Sequence, residues 1–261
     1  MQQHQPRKRF GQSFLVDPNY VARIVAAIAP RPGDNIVEIG PGLAALTRPL
    51  IAAAGHVNAI EIDRDLAARL AAEFAPEALS LTVGDALEFD YGVLGPALRV
   101  VGNLPYNISS PLLFRIAGFE SQIADIHVML QREVVARMTA APATPDYGRL
   151  SVMLQARFRV TRLFTVPAGA FRPAPKVESA VARLVPLGPS RPHVADQALF
   201  ARIVAAAFGQ RRKTLRNALS TLCDEATLHA AGIDPGARGE TFDVGAFVRL
   251  TNLVAERSPG T

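Results

Sequence analysis

The residues richest in chemistry are three acids set around a glycine turn. Glu38 stands two positions before Gly40-Pro41-Gly42, Glu61 follows further on, and Asp85 sits in Gly84-Asp85-Ala86. Two glycines between a strand and a helix let backbone approach a ligand closely, and the helix start supplies unsatisfied N–H groups. Gly40-x-Gly42-x-x-Ala45 also satisfies the dinucleotide-binding signature, with Glu61 where a ribose-binding acid belongs, so a nicotinamide cofactor is one candidate. Three carboxylates would repel a pyrophosphate, however, and suit a cationic nucleoside. Glu38 could face a methionine amino group or sulfonium, Glu61 the two ribose hydroxyls, and Asp85 the adenine amino group. That charge pattern favours S-adenosylmethionine.

A second constellation, Asn103-Leu104-Pro105-Tyr106, follows an apolar run. An exocyclic adenine amine is a poor nucleophile because its lone pair is delocalised into the ring. The Asn103 side-chain oxygen and the Leu104 carbonyl could accept both of its hydrogens and favour a pyramidal nitrogen. Pro105 would fix the turn that aims the carbonyl, and Tyr106 would offer a face for the base. Such a site works by positioning and electrostatics, without a metal or a strong general base.

Elements must bring these groups together. Asn35 to Ile39 reads as a strand, Leu43 to Ala54 as a helix, Val57 to Ile62 as a second strand and Arg64 to Phe74 as a second helix. This βαβ unit calls for a parallel sheet. Strands are expected at 79–83, 98–102 and 126–130, with helices from Pro111, capped by Ser109 or Ser110, and from Glu133. The stretches 150–166 and 177–185 favour late strands that pair antiparallel. Prolines between Pro186 and Pro192 mark a linker, and helical periodicity follows at 197–208, 213–223, 225–231 and 244–256. The expected organisation is a catalytic α/β domain over 1–187, including a basic segment and lead-in helix in 1–33, a linker over 188–196, and a small all-α domain over 197–261.

The 261 residues carry a net charge of +5, distributed as +4 over 1–33, −7 over 34–130, +6 over 131–183 and +2 over 184–261. An acidic middle flanked by basic ends suggests a polyanion held by the flanks. With 25 arginines to three lysines, arginine richness alone signals compositional bias. The location of Lys8, Lys176 and Lys213 in basic or proline-rich clusters is more informative. Cys223 is the single cysteine, which excludes a disulfide framework and a thiolate zinc site. The polar N-terminus and the short apolar stretch from Val21 to Pro30, interrupted by Arg23, carry no export or membrane signal. A soluble, cytoplasmic, metal-free monomer is expected.

Taken together, Arg7-Lys8-Arg9-Phe10-Gly11-Gln12-Ser13-Phe14-Leu15, Val37-Glu38-Ile39-Gly40-Pro41-Gly42, Gly102-Asn103-Leu104-Pro105-Tyr106-Asn107-Ile108-Ser109, Phe171-Arg172-Pro173-Ala174-Pro175-Lys176-Val177-Glu178-Ser179 and Gln210-Arg211-Arg212-Lys213-Thr214-Leu215-Arg216-Asn217 give the chain a strong resemblance. It resembles the ribosomal RNA adenine N6,N6-dimethyltransferases, most closely their bacterial small-subunit branch, from about residue 7 to 256. The resemblance implies a Rossmann-like class I methyltransferase sheet, mostly parallel with an antiparallel late strand, and a helical RNA-binding domain. It implies cofactor contacts at Ser13, Leu15, Gly40, Glu61, Asp85 and Asn103, beside Glu38 and Gly42 from the residue reading. Ser13 departs from the asparagine usual in the family, which leaves open whether the contact there is made by side chain or by backbone. Phe171 would stack on the face of the target adenine opposite Tyr106. RNA would be held by Arg7, Lys8, Arg9, Lys176, Arg211, Arg212, Lys213 and Arg216, with Arg212 and Arg216 one helical turn apart. The implied substrate is the 3′-terminal hairpin of 16S rRNA in an assembling 30S particle, where two adjacent adenosines each receive two methyls. Large-subunit dimethyltransferases share the Asn-(Leu/Ile)-Pro-Tyr chemistry and remain the rival within the class. A non-catalytic assembly factor is the rival outside it.

Overall fold

The computed structural model describes residues 12–210 and 212–257, so Arg7, Lys8, Arg9 and Arg211 lie outside the described residues. Two compact units are present. One runs through Val135 and takes in Val160–Pro186; the other comprises Ala136–Arg159 and the chain from Leu187.

The first unit is the α/β part. Its elements are β1 (Phe14–Leu15), α1 (Pro18–Ile28), β2 (Ile36–Ile39), α2 (Thr47–Ala54), β3 (Val57–Glu61), α3 (Arg64–Glu73), β4 (Leu79–Val83), β5 (Leu98–Asn103), α4 (Ser109–Ala117), β6 (Ile123–Gln131), then α5 (Arg132–Thr139), which runs on into the second unit. After α6 (Arg149–Gln155) of that second unit come β7 (Phe158–Val166), β8 (Phe171–Arg172) and β9 (Ser179–Pro186). Seven strands form one sheet in the order β4-β3-β2-β5-β6-β9-β7. The first five are parallel and β9 runs antiparallel to β6. The central strand β2 is buried throughout, as a parallel strand covered on both faces must be. Strand order reverses between β2 and β5, which opens a crevice at the carboxyl ends of the strands. β1 pairs with β8 in a separate two-stranded ribbon.

Three local expectations change. The turn after β2 continues to Leu46, so α2 starts at Thr47 and not Leu43, with Gly40, Gly42 and Ala44 all at positive φ (68°, 57° and 63°). Residues 149–155 form α6, not the beginning of a strand. Its Val152 and the following Ala156 pack on Phe200, Val204 and Phe247, so 136–159 belongs to the helical core rather than to the sheet unit. Ser109 is the first helical residue of α4 and caps nothing; its hydroxyl donates back to the Pro105 and Tyr106 carbonyls, both at 3.1 Å.

The second unit adds α7 (Gln197–Gly209), α8 (Leu215–Ala218), α9 (Glu225–Ala230) and α10 (Val244–Arg257). α8 is one turn long, against the eleven-residue helix read from sequence, and Arg212 precedes it in a turn. The helical pairing of Arg212 with Arg216 therefore does not form.

At the opposite end of the sheet from the crevice, Arg99 of β5 joins three segments. Its guanidinium donates to Asp125 of β6 at 3.1 and 2.9 Å, to Asp34 before β2 at 2.6 Å, and to the Ile28 and Ala29 carbonyls ending α1. Burial acts to raise the Asp125 carboxyl, but His127 at 3.6 Å and Arg99 outweigh it and bring the pKa down to about 2. A carboxyl held below its unfolded value stabilises the fold above that value and loses the contribution as pH falls toward the folded one. Arg99→Met is expected to cost about 3 kcal/mol at neutral pH by taking from Asp125 and Asp34 the guanidinium they share. Urea unfolding should show that deficit shrinking between pH 4 and pH 2, whereas an equal deficit at both pH values would assign it to packing.

Candidate active site

The carboxyl ends of β2, β3, β4 and β5 meet in one solvent-open cleft of about 1020 Å³. Ser13, Leu15, Glu38, Gly40, Gly42, Glu61, Asp85, Asn103, Leu104, Pro105 and Tyr106 all line it. The sheet order explains this convergence, because β2 and β5 are neighbours that pair Ile39 with Gly102 although the two are far apart in the chain. Their close approach needs Gly102, where a Cβ would stand 2.7 Å from the Ile39 carbonyl oxygen.

Glu61 organises the cleft. Its two carboxylate oxygens accept from the Gly42 amide at 3.1 Å and the Asp63 amide at 2.9 Å, tying the glycine turn to the loop after β3. Each oxygen keeps a further lone pair for a ligand hydroxyl. Burial raises the Glu61 pKa, opposed by those two amides. Glu38 is only 2% exposed, and burial pushes its pKa up to about 7, with the Thr47 hydroxyl acting against it and the Glu61 charge reinforcing it. Glu38 Oε2 is buried with no hydrogen-bond partner. A buried, partnerless carboxylate oxygen in a cleft is where a cationic group would be stabilised. Asp85 uses Oδ1 to cap its own turn at Leu87 N, 2.9 Å away, and lines the cleft as well.

Asn103 ends β5, and its Nδ2 donates to the Ser13 carbonyl at 3.0 Å. A carbonyl oxygen only accepts, so this bond commits Nδ2 and leaves Oδ1 as the free end of the carboxamide. Ser13 meets Asn103 through its backbone carbonyl, a contact that does not depend on its side chain. Leu104 is buried and its amide donates to the Met129 carbonyl at 3.1 Å, while Pro105 turns the chain with φ −58° and ψ 131°. Tyr106 is half-buried, and its hydroxyl meets the Ser179 hydroxyl at 2.6 Å. Burial raises its pKa, opposed by Ser179.

Phe171 does not join this site. It is 0% exposed, pairs with Leu15 across the β1–β8 ribbon and packs with Leu15, Val101 and Met129 in the core. A ring without exposed surface presents no face to a base, so its place here is core packing. Lys176 is exposed in the segment before β9. In the helical unit Arg212 and Lys213 are exposed, and the Arg216 guanidinium meets Glu225 at 2.9 Å, which partly balances its charge.

Several residues that support the site carry only faint sequence signals. Asp63 is the N-cap of α3, and an acid just before a helix is legible as such. Its bond from Gln12 Nε2 at 3.0 Å is not, since 51 residues intervene. Ser179, fully buried at the start of an apolar strand, shows itself only as a polar residue in the wrong place. Among the described residues there is no group of His, Cys, Asp and Glu suited to a metal ion.

The cleft thus joins a glycine turn and buried carboxylates to the Asn103–Tyr106 turn, and comparison with known proteins shows the family to which it belongs. Residues 3–256 match the family model for ribosomal RNA adenine dimethylase. Ribosomal RNA small subunit methyltransferase A of Aromatoleum aromaticum is 59% identical over 99% of this chain and 98% of its own, and that of Thiobacillus denitrificans is 57% identical over 97% and 100%. The 23S rRNA methyltransferase ErmE superposes with a TM-score of 0.70 at 27% identity, covering 92% of this chain and 99% of that one. A dimethyladenosine transferase from Plasmodium falciparum shares the fold, with a TM-score of 0.80 at 23% identity over 94% and 98%. The chain belongs to the ribosomal RNA adenine dimethylase family, whose members are S-adenosylmethionine-dependent rRNA adenine dimethyltransferases.

Proposed function

We propose that this enzyme dimethylates N6 of two adjacent adenosines in the 3′-terminal hairpin of 16S rRNA within an assembling 30S particle, acting as a cytoplasmic monomer. The identity to small-subunit enzymes, about twice that to the large-subunit one, supports the choice of RNA. Among the described residues no helix is long and apolar enough to cross a membrane.

The observation that carries the chemistry is the committed Asn103 carboxamide. With Nδ2 held by Ser13, Oδ1 accepts one N6 hydrogen and the Leu104 carbonyl the other, drawing the nitrogen lone pair out of the ring. Bound S-adenosylmethionine supplies an electrophilic methyl group on a sulfonium. Glu38 would stabilise its positive end, Glu61 would accept from the ribose hydroxyls, and Asp85 would offer its remaining acceptor capacity to the adenine. Gly40 and Gly42 keep the turn free of side chains. Tyr106, tethered through Ser179, stacks on the flipped target base. Phosphates are met by Arg212, Lys213 and Lys176, joined by Arg7, Lys8, Arg9 and Arg211, with Arg216 contributing less because of Glu225.

Three outcomes are expected. Asn103→Ala should lower turnover by about 100- to 1,000-fold while calorimetry finds cofactor affinity changed only a few fold; retained turnover would remove Asn103 from the acceptor role. Glu38, with a pKa near 7, must be ionised to meet a cation. Affinity for S-adenosylmethionine should therefore fall about fivefold from pH 7 to pH 6 and about tenfold more by pH 5. Glu38→Gln should bind more weakly at pH 8 and show little of that pH dependence. Finally, Arg212→Ala with Lys213→Ala should reduce the slope of log affinity for 30S precursors against log salt by about 1.5. An unchanged slope in filter binding would turn that cluster away from RNA.

A further inference from the structure

The short segment Gln12–Leu15 touches three separate parts of the cleft. Gln12 Nε2 donates to Asp63 Oδ2 at 3.0 Å. The Ser13 carbonyl accepts from Asn103 Nδ2 at 3.0 Å. The Phe14 ring lies 3.1 Å from where a Cβ on Gly42 would stand, so it rests directly on the glycine turn. Downstream the segment is fastened by backbone bonds, through pairing with Phe171 and Arg172 and through Val16 N to the Ala170 carbonyl at 2.9 Å. Upstream, the first described residue, Gln12, is anchored by a side chain. Its partner is well fixed: Asp63 is 0% exposed, Oδ1 caps α3 at Asp65 N, and its own amide donates to Glu61.

Ser13 thus sits between two anchors, one in backbone and one in the Gln12 side chain. Its carbonyl decides which end of the Asn103 carboxamide faces the substrate. An amide turned over would present an N–H donor to an amine that needs an acceptor, and the two donors would repel. Aligning that single carbonyl is worth a large factor, because displacements of about 1 Å can cost about 100-fold in rate.

We propose that Gln12 is a positioning residue for methyl transfer: by latching onto Asp63 it holds the Ser13 carbonyl against Asn103 and so fixes the acceptor end of that carboxamide. The proposal rests on the acceptor role given to Asn103 above. Gln12 touches neither methyl nor base in this scheme. It links the cofactor side of the cleft, through Asp63 and Glu61, to the acceptor side.

The test compares wild type, Gln12→Ala, Gln12→Glu and the exchange Gln12→Glu with Asp63→Asn. Gln12→Ala is expected to lower kcat by about 10- to 100-fold, with KM for RNA and calorimetric affinity for S-adenosylmethionine within about threefold. Gln12→Glu sets two carboxylates against each other and should be worse. The exchange puts the amide donor on the other side of the same bond and should recover most of kcat. A second readout uses the protein without cofactor: NMR exchange of the Asn103 side-chain amide protons should be slow in wild type, fast in Gln12→Ala and slow again in the exchange variant. Wild-type kcat in Gln12→Ala would overturn the latch. So would a loss that the exchange does not repair, amide exchange that ignores Gln12, or cofactor affinity falling as far as kcat. Turnover surviving Asn103→Ala would instead sink the acceptor role itself, whatever Gln12 does.

Discussion

Two carboxylates buried beside a glycine turn set the terms for this molecule. Glu38 and Glu61 are 2% and 4% exposed in the same crevice, and the Glu61 charge adds to the cost of ionising Glu38. The fold satisfies one of them. Both oxygens of Glu61 accept backbone amides, and this requires β2 and β3 to end level and the Gly42 amide to point back across the turn. Glu38 is left with an oxygen that nothing in the described chain meets. A carboxyl whose pKa is raised from 4.5 to about 7 costs the folded state about 3 kcal/mol once ionised. A cationic group placed against Glu38, as proposed for the cofactor, would recover that cost on binding. The same residues would be a poor host for a pyrophosphate, in keeping with the S-adenosylmethionine dependence of the family.

The acceptor turn depends on this arrangement through sheet topology. Because β5 is the neighbour of β2, Asn103 stands beside the glycine turn, and a Cβ on Gly40 would lie 4.0 Å from the Asn103 carbonyl oxygen. Parallel pairing puts the ends of both strands at one edge, so the glycine turn and Asn103 are juxtaposed by backbone alone. Side chains then refine orientation: Ser109 closes the turn onto Pro105 and Tyr106, and Ser179 holds the Tyr106 hydroxyl.

How much of this could be read from sequence follows from where each signal resides. The glycine turn, the three acids and Asn103–Tyr106 were legible because local pattern and alternation of strands and helices place them at one edge of a parallel sheet. The 149–155 stretch was not, because Val152 and Leu154 fit a strand as well as a short helix, and their burial against the helical core decides. Phe171 shows the limit of resemblance. Its motif is intact, but exposure is a tertiary property, and here the ring is covered by Leu15 and its neighbours. Gln12–Asp63 and Tyr106–Ser179 join positions 51 and 73 residues apart, and nothing local in either partner announces the other.

Two methylations of one nitrogen make unequal demands on the two proposed acceptors. In the first transfer the amine offers two hydrogens, one for Asn103 Oδ1 and one for the Leu104 carbonyl. In the second only one hydrogen remains, and the methyl already present must occupy the space before the other acceptor. The Leu104 carbonyl belongs to a peptide constrained by Pro105 and by a buried Leu104 side chain, so it moves little. The Asn103 carboxamide is held by one hydrogen bond, from Nδ2 to the Ser13 carbonyl, which fixes its orientation and still lets Oδ1 shift further than a peptide carbonyl can. The compliant partner is therefore the one to yield to the methyl, leaving the remaining hydrogen on the Leu104 carbonyl. On this argument the first transfer draws on both acceptors and the second on the rigid one. Asn103 then gives the pocket both its initial alignment and its room for a substituted amine.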